Sequence, residues 1–260
     1  MAEPVVDALM RQAALTDHMV AALESADFER DTPSCPGWKV RDTVTHLTVG
    51  SQLFAASAAG DGSVWERRND YIQALTGTSP EQLKQRYAEA SAHLLSVFES
   101  ATPEELRSKQ ARHPAMGEIP MMMLAMMRTG ESTIHGWDIQ AAKDPDTILD
   151  GPGVEVTVNA IANALPFWFD PDQMAGLQRR YRIVAGSFDR TLSIEDGKAA
   201  WTEASGSLDV TLTMEPGDLA LLVSGRRSSA QLLDAGRAKV EGDAQAFRGL
   251  SEMFKAYGGR

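Results

Sequence analysis

The sequence predicts a helical N-terminal half, a four-helix bundle, followed by a smaller α+β domain. Three observations carry this. Apolar residues recur at helical spacing through the first 143 positions, a turn-rich stretch, "KDPDTILDGPG", interrupts the pattern, and short runs of alternating or β-branched residues follow it. The break divides the chain into residues 1–147 and 148–260.

The first helix is expected from about Pro4 to Asp27, with Val5, Leu9, Thr16, Val20 and Leu23 on one stripe. A second starts after "CPGW" and runs to about Ala59 through Val40, Val44, Leu47 and Phe54. "SPEQ" at Ser79–Gln82 is a helix start: Ser79 caps, Pro80 fits the first turn and Gln82 closes a capping box. Leu83, Tyr87, Ala90, Leu94 and Phe98 continue it. "TPEE" at Thr102 starts a shorter helix. Pro120 opens a last helix that is apolar nearly all round and reaches about Lys143, the pattern of a helix buried within a bundle. Four main helices with one long connection make the bundle.

In the second half a helix carries Val154, Val158, Ile161 and Leu165. "YRIVAGSF", "RTLSIEDGKAAWTE" and "LDVTLTM" read as strands, with Asp196-Gly197 as a hairpin turn. "DLALLVSG" and "DAQAFRGLSEMF" return to helical spacing, the latter capped by Asp243. The expectation is a small sheet backed by helices.

The 260 residues carry a formal charge of −11, so a polyanionic partner such as nucleic acid is not expected. With 43% hydrophobic and 23% charged residues the composition is that of a globular protein. Cys35 is the only cysteine, which rules out an intramolecular disulfide and fits a reducing compartment. The first residues show no signal-peptide pattern, and no apolar run approaches the roughly 20 residues of a spanning helix. A cytoplasmic protein without a membrane partner is the expectation.

"GESTIHGWDIQAA", Gly130–Ala142, holds the polar residues hardest to explain as packing. Glu131 and His135 are four apart and share a helix face, and Asp138 lies one turn further on. His46, inside the second helix, is the best third donor, with Asp42 one turn earlier able to orient it. His46, Glu131 and His135 would form a His2Glu set with an open fourth position, as in catalytic zinc sites. Spacing alone leaves the alternative open, since E-x-x-x-H pairs on helices are more often hydrogen-bonded or surface pairs. Gly130 and Gly136 each cost a helix interior about 0.8–1 kcal/mol relative to alanine. They allow either close approach of a ligand or tight helix packing. His18, His93 and His113 read as ordinary packed or solvated histidines. Cys35 reads as part of a packed turn, with Trp38 filling the bundle end.

"CPGWKVRDTVTHL" followed about 85 residues later by "ESTIHGWDIQAA" resembles the mycothiol-dependent maleylpyruvate isomerase family, within the DinB-like metalloprotein superfamily. "LTMEPGDLALLVSG" and "AKVEGDAQAFRGLSEMF" are similar to the sterol-carrier-like domain that many members carry. Lys39 stands where the family pattern favours Thr or Ser as a helix cap. The resemblance implies a DinB-like bundle that binds a divalent metal, usually zinc, through His46, Glu131 and His135. It also implies mycothiol as a low-molecular-weight thiol cosubstrate, and hence an actinobacterial source.

A thiol coordinated at such a site becomes a thiolate, the reactive form, positioned to attack a small electrophile. The activity expected is therefore a thiol-dependent cis–trans isomerase or S-transferase acting as a monomer or homodimer. A dicarboxylate substrate needs arginines. The candidates are Arg86, Arg128 and Arg226, with Arg67, Arg68 and Arg227 behind them. Trp137 and Asp138 are candidates for the thiol pocket. Two other classes remain: a lipid-binding protein in which Asp138 completes a closed structural metal site, and a metal-dependent hydrolase.

Overall fold

The computed structural model describes residues 4–163, 165–203 and 207–254. Contacts divide the chain into two compact units, Met1–Thr147 with Gly151–Val156, and Ile148–Asp150 with Thr157–Arg260.

In the first unit the long helices are α1 (Pro4–Ala21), α2 (Val40–Ala59), α4 (Pro80–Ser100) and α6 (Met121–Ala141). Short helices α3 (Arg68–Leu75) and α5 (Pro103–Ser108) lie between them. Each long helix packs on two others, in the ring α1–α6–α2–α4. The ends of the helices are set by local chemistry. Ser79 Oγ accepts from the Gln82 amide at 3.2 Å and Gln82 Oε1 accepts from the Ser79 amide at 2.9 Å, a reciprocal box that starts α4. Gly60, at φ 114°, ends α2 in the left-handed conformation open to glycine.

Two features depart from the periodicity. The first helix stops at Ala21, because the Asp27 carboxylate accepts the Glu24 amide at 3.0 Å and pulls the chain into a separate 3₁₀ turn, Ser25–Glu29. A two-stranded hairpin, β1 (Gln110–His113) with β2 (Gly117–Pro120), precedes α6 where a loop was expected.

The apolar core has two parts. Leu9, Phe54, Leu94, Phe98 and Leu124 belong to one cluster, and Val20, Leu47, Leu53, Leu83, Tyr87 and Ile139 to the other. The first draws on the start of α1 and α6 and the end of α2 and α4; the second draws on the opposite ends. The helices therefore run up, down, down, up, and the parallel pair α2 and α4 needs the long connection that contains α3. Between the clusters the buried residues turn polar: Gln12 and Thr16 on α1, Thr48 and Ser51 on α2, Ser91 on α4, and Arg128, Thr129, Ser132, Thr133 and His135 on α6. A buried polar belt across a bundle must be internally hydrogen-bonded or serve a ligand.

Beyond Ile148–Asp150, the second unit starts within α7 (Val154–Asn163), at Thr157. Its sheet comprises β3 (Gln178–Ala185), β4 (Phe188–Glu195), β5 (Lys198–Thr202), β6 (Val210–Met214) and β7 (Ala238–Gly242), in the order β5-β4-β3-β6-β7. Only the β3–β6 pair is parallel, with Tyr181 opposite Val210. Asp196 and Gly197, both at positive φ, make the tight β4–β5 turn. Alternation buries Tyr181, Ile183 and Ala185 on β3 and Val210, Leu212 and Met214 on β6. Helix α8 (Pro216–Val223) is buried along almost its whole length, and α9 (Ser229–Asp234) and α10 (Ala244–Arg248) pack near β7. Asp243 caps α10, accepting from the Gln245 and Ala246 amides at 3.0 Å each.

Gly242 ends β7 at φ 98°, and a Cβ there would stand 2.1 Å from the Asp209 carbonyl oxygen. Both the strained backbone and the clash with main chain oppose any side chain. Gly242→Ala is expected to destabilise the protein by roughly 2–4 kcal/mol, read as a lower urea midpoint at unchanged slope. A midpoint equal to the parent's would mean that the β6–β7 edge yields freely.

Candidate metal centre

Helical spacing directs His46, Glu131 and His135 into one cluster. His46 Nε2 lies 2.8 Å from Glu131 Oε2, and His135 Nε2 lies 3.5 Å from the same oxygen. The imidazole centroids are 4.6 Å apart. One ligand atom from each of the three residues lies within 4.8 Å of the others. Donors bonded to one ion at about 2.0–2.2 Å stand roughly 3.3–3.5 Å from each other in a tetrahedral site, so small side-chain adjustments would seat a metal here. Two neutral nitrogens and a carboxylate are chemically suited to zinc or a similar divalent ion.

Asp138 is fully buried, and its Oδ2 lies 2.8 Å from His135 Nδ1. That is the edge of the imidazole opposite the cluster. A proton on Nδ1 shared with Asp138 leaves the Nε2 lone pair facing Glu131, the arrangement by which carboxylates orient metal-binding histidines. Asp138 thus stands behind His135 rather than beside Glu131, which argues against a closed four-ligand site. Cys35 Sγ lies 3.7 Å from the same Asp138 oxygen, on that far side.

The electrostatics of the cluster follow from its burial. Desolvation is the largest influence on His46 and pushes its pKa down, so the ring is neutral and ready to ligate. Burial also acts to lower the pKa of His135. The hydrogen bonds to Asp138 and Glu131 outweigh it and raise the pKa. For Glu131, burial would raise the pKa, but the bonds to His135 and His46 hold the carboxyl well below its usual range. With no ion present, Glu131 is a carboxylate sharing protons with its histidines.

Trp38 walls the site. Its indole lies nearly parallel to the His135 ring at 6.0 Å and tilted against His46 at 5.4 Å. A cavity of about 350 Å³ adjoins His46 and is lined by Trp38, Thr45, Val49, Arg68 and Ile72. Trp137, the wall anticipated from its nearness to His135, is buried and donates from Nε1 to the Thr147 carbonyl at 3.0 Å. Asp42 accepts the Lys39 amide at 2.8 Å, the return half of a capping box, so it is engaged at the start of α2 rather than orienting His46; the Lys39 side chain makes no cap bond in place of the Ser or Thr.

The arginines separate clearly. Arg68 lines the cavity. Arg86 lies exposed on α4, 3.6 Å from Glu89. Arg67 pairs with Asp61. Arg128 is inside the bundle, 2% exposed, and donates from Nη2 to Ser51 Oγ at 2.8 Å and the Leu47 carbonyl at 3.1 Å. Arg226 belongs to the second unit, where its Nη1 donates to the Ser224 carbonyl at 2.9 Å. Of these arginines, Arg68 is the one that lines the cavity beside His46, while Arg86 lies on the surface and Arg128 is enclosed. Among the other histidines, His18 and His93 are exposed, and His113 packs against Phe54 and Trp65. At Gly136 a Cβ would meet Thr16 Oγ1 on α1 at 3.4 Å, an ordinary contact, so helix packing alone does not demand glycine there.

The family model described as mycothiol maleylpyruvate isomerase N-terminal domain matches residues 9–140, just over half of the chain. The model of the SCP-2 sterol transfer family matches residues 169–255. Among solved structures, a histidine-to-alanine mutant of the mycothiol-dependent maleylpyruvate isomerase is similar at TM-score 0.61 and 14% identity, over 91% of this chain and 91% of that one. The unmutated isomerase is similar at TM-score 0.57 and 16% identity, over 86% of this chain and 89% of that one. At these identities the likeness is one of fold. No curated protein sequence matches the chain. No helix among the described residues is long and apolar enough to cross a membrane.

Proposed function

Since the chain belongs to the mycothiol maleylpyruvate isomerase N-terminal domain family, we propose that it is a metal- and thiol-dependent enzyme that isomerises a small electrophile or joins it to the thiol sulfur. The observation that carries this reading is the orientation of His135. Its Nε2 turns toward Glu131 and His46 while Asp138 holds Nδ1, so three donors converge, and among the described residues no fourth protein ligand closes the set.

His46, Glu131 and His135 would hold the ion. When bound, the metal supplies an acidic coordination position at which a thiol, mycothiol in this reading, loses its proton at neutral pH. The chain supplies the rest. Asp138 fixes the His135 ring, and Trp38 covers one side of both histidines and limits access of water. Arg68 offers a guanidinium to a carboxylate in the cavity beside His46.

A conjugated cis-alkene diacid suits this arrangement. Attack of sulfur on the alkene forms a C–S bond and shifts the π electrons onto the neighbouring carbonyl. Rotation about the former double bond and return of the electrons, with expulsion of the thiolate, then give a trans alkene with no net change in atoms. An electrophile with a leaving group or epoxide would keep the sulfur instead.

The test measures bound metal in protein purified without added metal, then follows such a diacid with and without thiol. Thiol-dependent conversion supports the reading, and the mass of the product separates isomer from adduct. Turnover that is equal without thiol would overturn it in favour of hydrolysis. Arg68→Ala is expected to raise KM for the diacid about tenfold or more with a smaller change in kcat, as loss of a charged hydrogen bond made in both ground and transition states requires. An unchanged KM would remove the cavity from the substrate path.

A further inference from the structure

Among the described residues Arg128 is the largest fully buried side chain, and its Nε and Nη1 are the only buried side-chain nitrogens or oxygens without a hydrogen-bond partner. A buried guanidinium with unsatisfied donors is among the least favourable groups a core can hold. Its placement indicates what it serves. Arg128 lies three residues before Glu131 on α6, and Nη2 reaches across to the carbonyl of Leu47, the residue after His46 on α2, and to Ser51. The one turn of α2 that must make room carries Gly50, where a Cβ would stand 3.1 Å from Nη1. His46 and Gly50 are four apart and share a helix face, so the guanidinium sits one helical turn along from the ligand cluster, on the side away from His135. Asp17 on α1 and Tyr87 on α4 are the other ionisable groups that interact with it.

We propose that Arg128 is an electrostatic positioning residue whose enclosed positive charge, seated against Gly50 and bonded to α2, favours an anion over a neutral ligand at the fourth position of the metal site. This rests on the metal-site reading above and goes beyond it, because the three ligands alone say nothing of a second positive charge enclosed beside the ion. The charge acts through a low-dielectric interior, where fields are screened far less than at the surface. Both His46 and Glu131 couple to it: burial, the largest influence, pulls the Arg128 pKa down and the Glu131 carboxylate acts to raise it, while the guanidinium acts to lower that of His46. A thiolate delivered to the site gains the same attraction, and a thiol does not.

The experiment uses full-length protein loaded with cobalt(II), whose visible spectrum reports the fourth ligand. Thiocyanate serves as the anionic probe and imidazole as the neutral one. In Arg128→Met, thiocyanate is expected to bind about tenfold more weakly while imidazole stays within about twofold of wild type, at full cobalt content. Arg128→Lys, which restores the charge without the planar fork, is expected to recover most of the anion affinity. Arg128→Gln gives the neutral arm a second variant that can keep the bond to Leu47, should the methionine disturb folding. Parallel losses for both probes would reduce Arg128 to a structural clamp and overturn the proposal, as would unchanged affinities. A wild-type protein that takes up no cobalt would instead sink the metal-site reading, and this inference with it.

Discussion

Protein carrying His46→Ala is expected to lose its metal. Wild type should retain about one ion per chain after purification without added metal, and the variant roughly a tenth of that or less, because two donors on one helix cannot replace three from two helices. Thiol-dependent turnover should fall by about three orders of magnitude or more with the ion. The fold should survive, since His46 lies at the edge of the buried belt with 27% of its side chain exposed, and the apolar clusters at both ends of the bundle do not include it. Helical circular dichroism checks that. A variant that keeps wild-type metal content would show that the ion is held elsewhere, and the Cys35, His135 and Asp138 group is where a search would turn next.

The meeting of His46, Glu131 and His135 was legible in the sequence because helices are periodic. Once α2 and α6 are helices, His46 has one direction, and Glu131 and His135 share another. Their meeting then requires only that the two helices pack, as they do. The bundle itself was equally legible from the stripes of α1 and α4 and from the capping box at Ser79. What the spacing missed lies where no period fixes direction. Trp38 occupies the turn before α2, so its indole could point anywhere, and it is Trp38 rather than the helical Trp137 that covers the histidines. Asp42 was placed on the correct helix but in the first turn, where a carboxylate is drawn to the free amide of Lys39 before any imidazole. The hairpin at Gln110–Pro120 has four-residue strands, too short for alternation to register, and β7 carries only Ala238 and Val240 as apolar residues. Arg128 shows a different limit. Its sequence position put it on the ligand face, but whether that face opened to substrate or into the core depended on Gly50 across the helix pair.

Asp138→Asn isolates the orientation of His135 from the ligand set. The amide is the same size as the carboxylate, and its oxygen can still accept from Nδ1, so the buried position should tolerate it. What is lost is the negative charge that makes the imidazole a stronger donor. Metal affinity at pH 8 is expected to fall by roughly 10–100-fold, read by competition with a chelator of known strength.

The pH dependence of that loss carries a sign. In the metal-free protein the bonds to Asp138 and Glu131 raise the pKa of His135, so protons compete with the metal increasingly as pH falls through that raised value. Removing the Asp138 charge lowers the pKa and relieves the competition. The affinity gap between variant and wild type should therefore be widest at high pH and narrow as pH falls. A gap that is constant with pH would mean that Asp138 holds the ring by packing and not through the shared proton. A gap that widens on acidification would contradict the placement of Asp138 on Nδ1, because it requires His135 to be more basic without the carboxylate than with it.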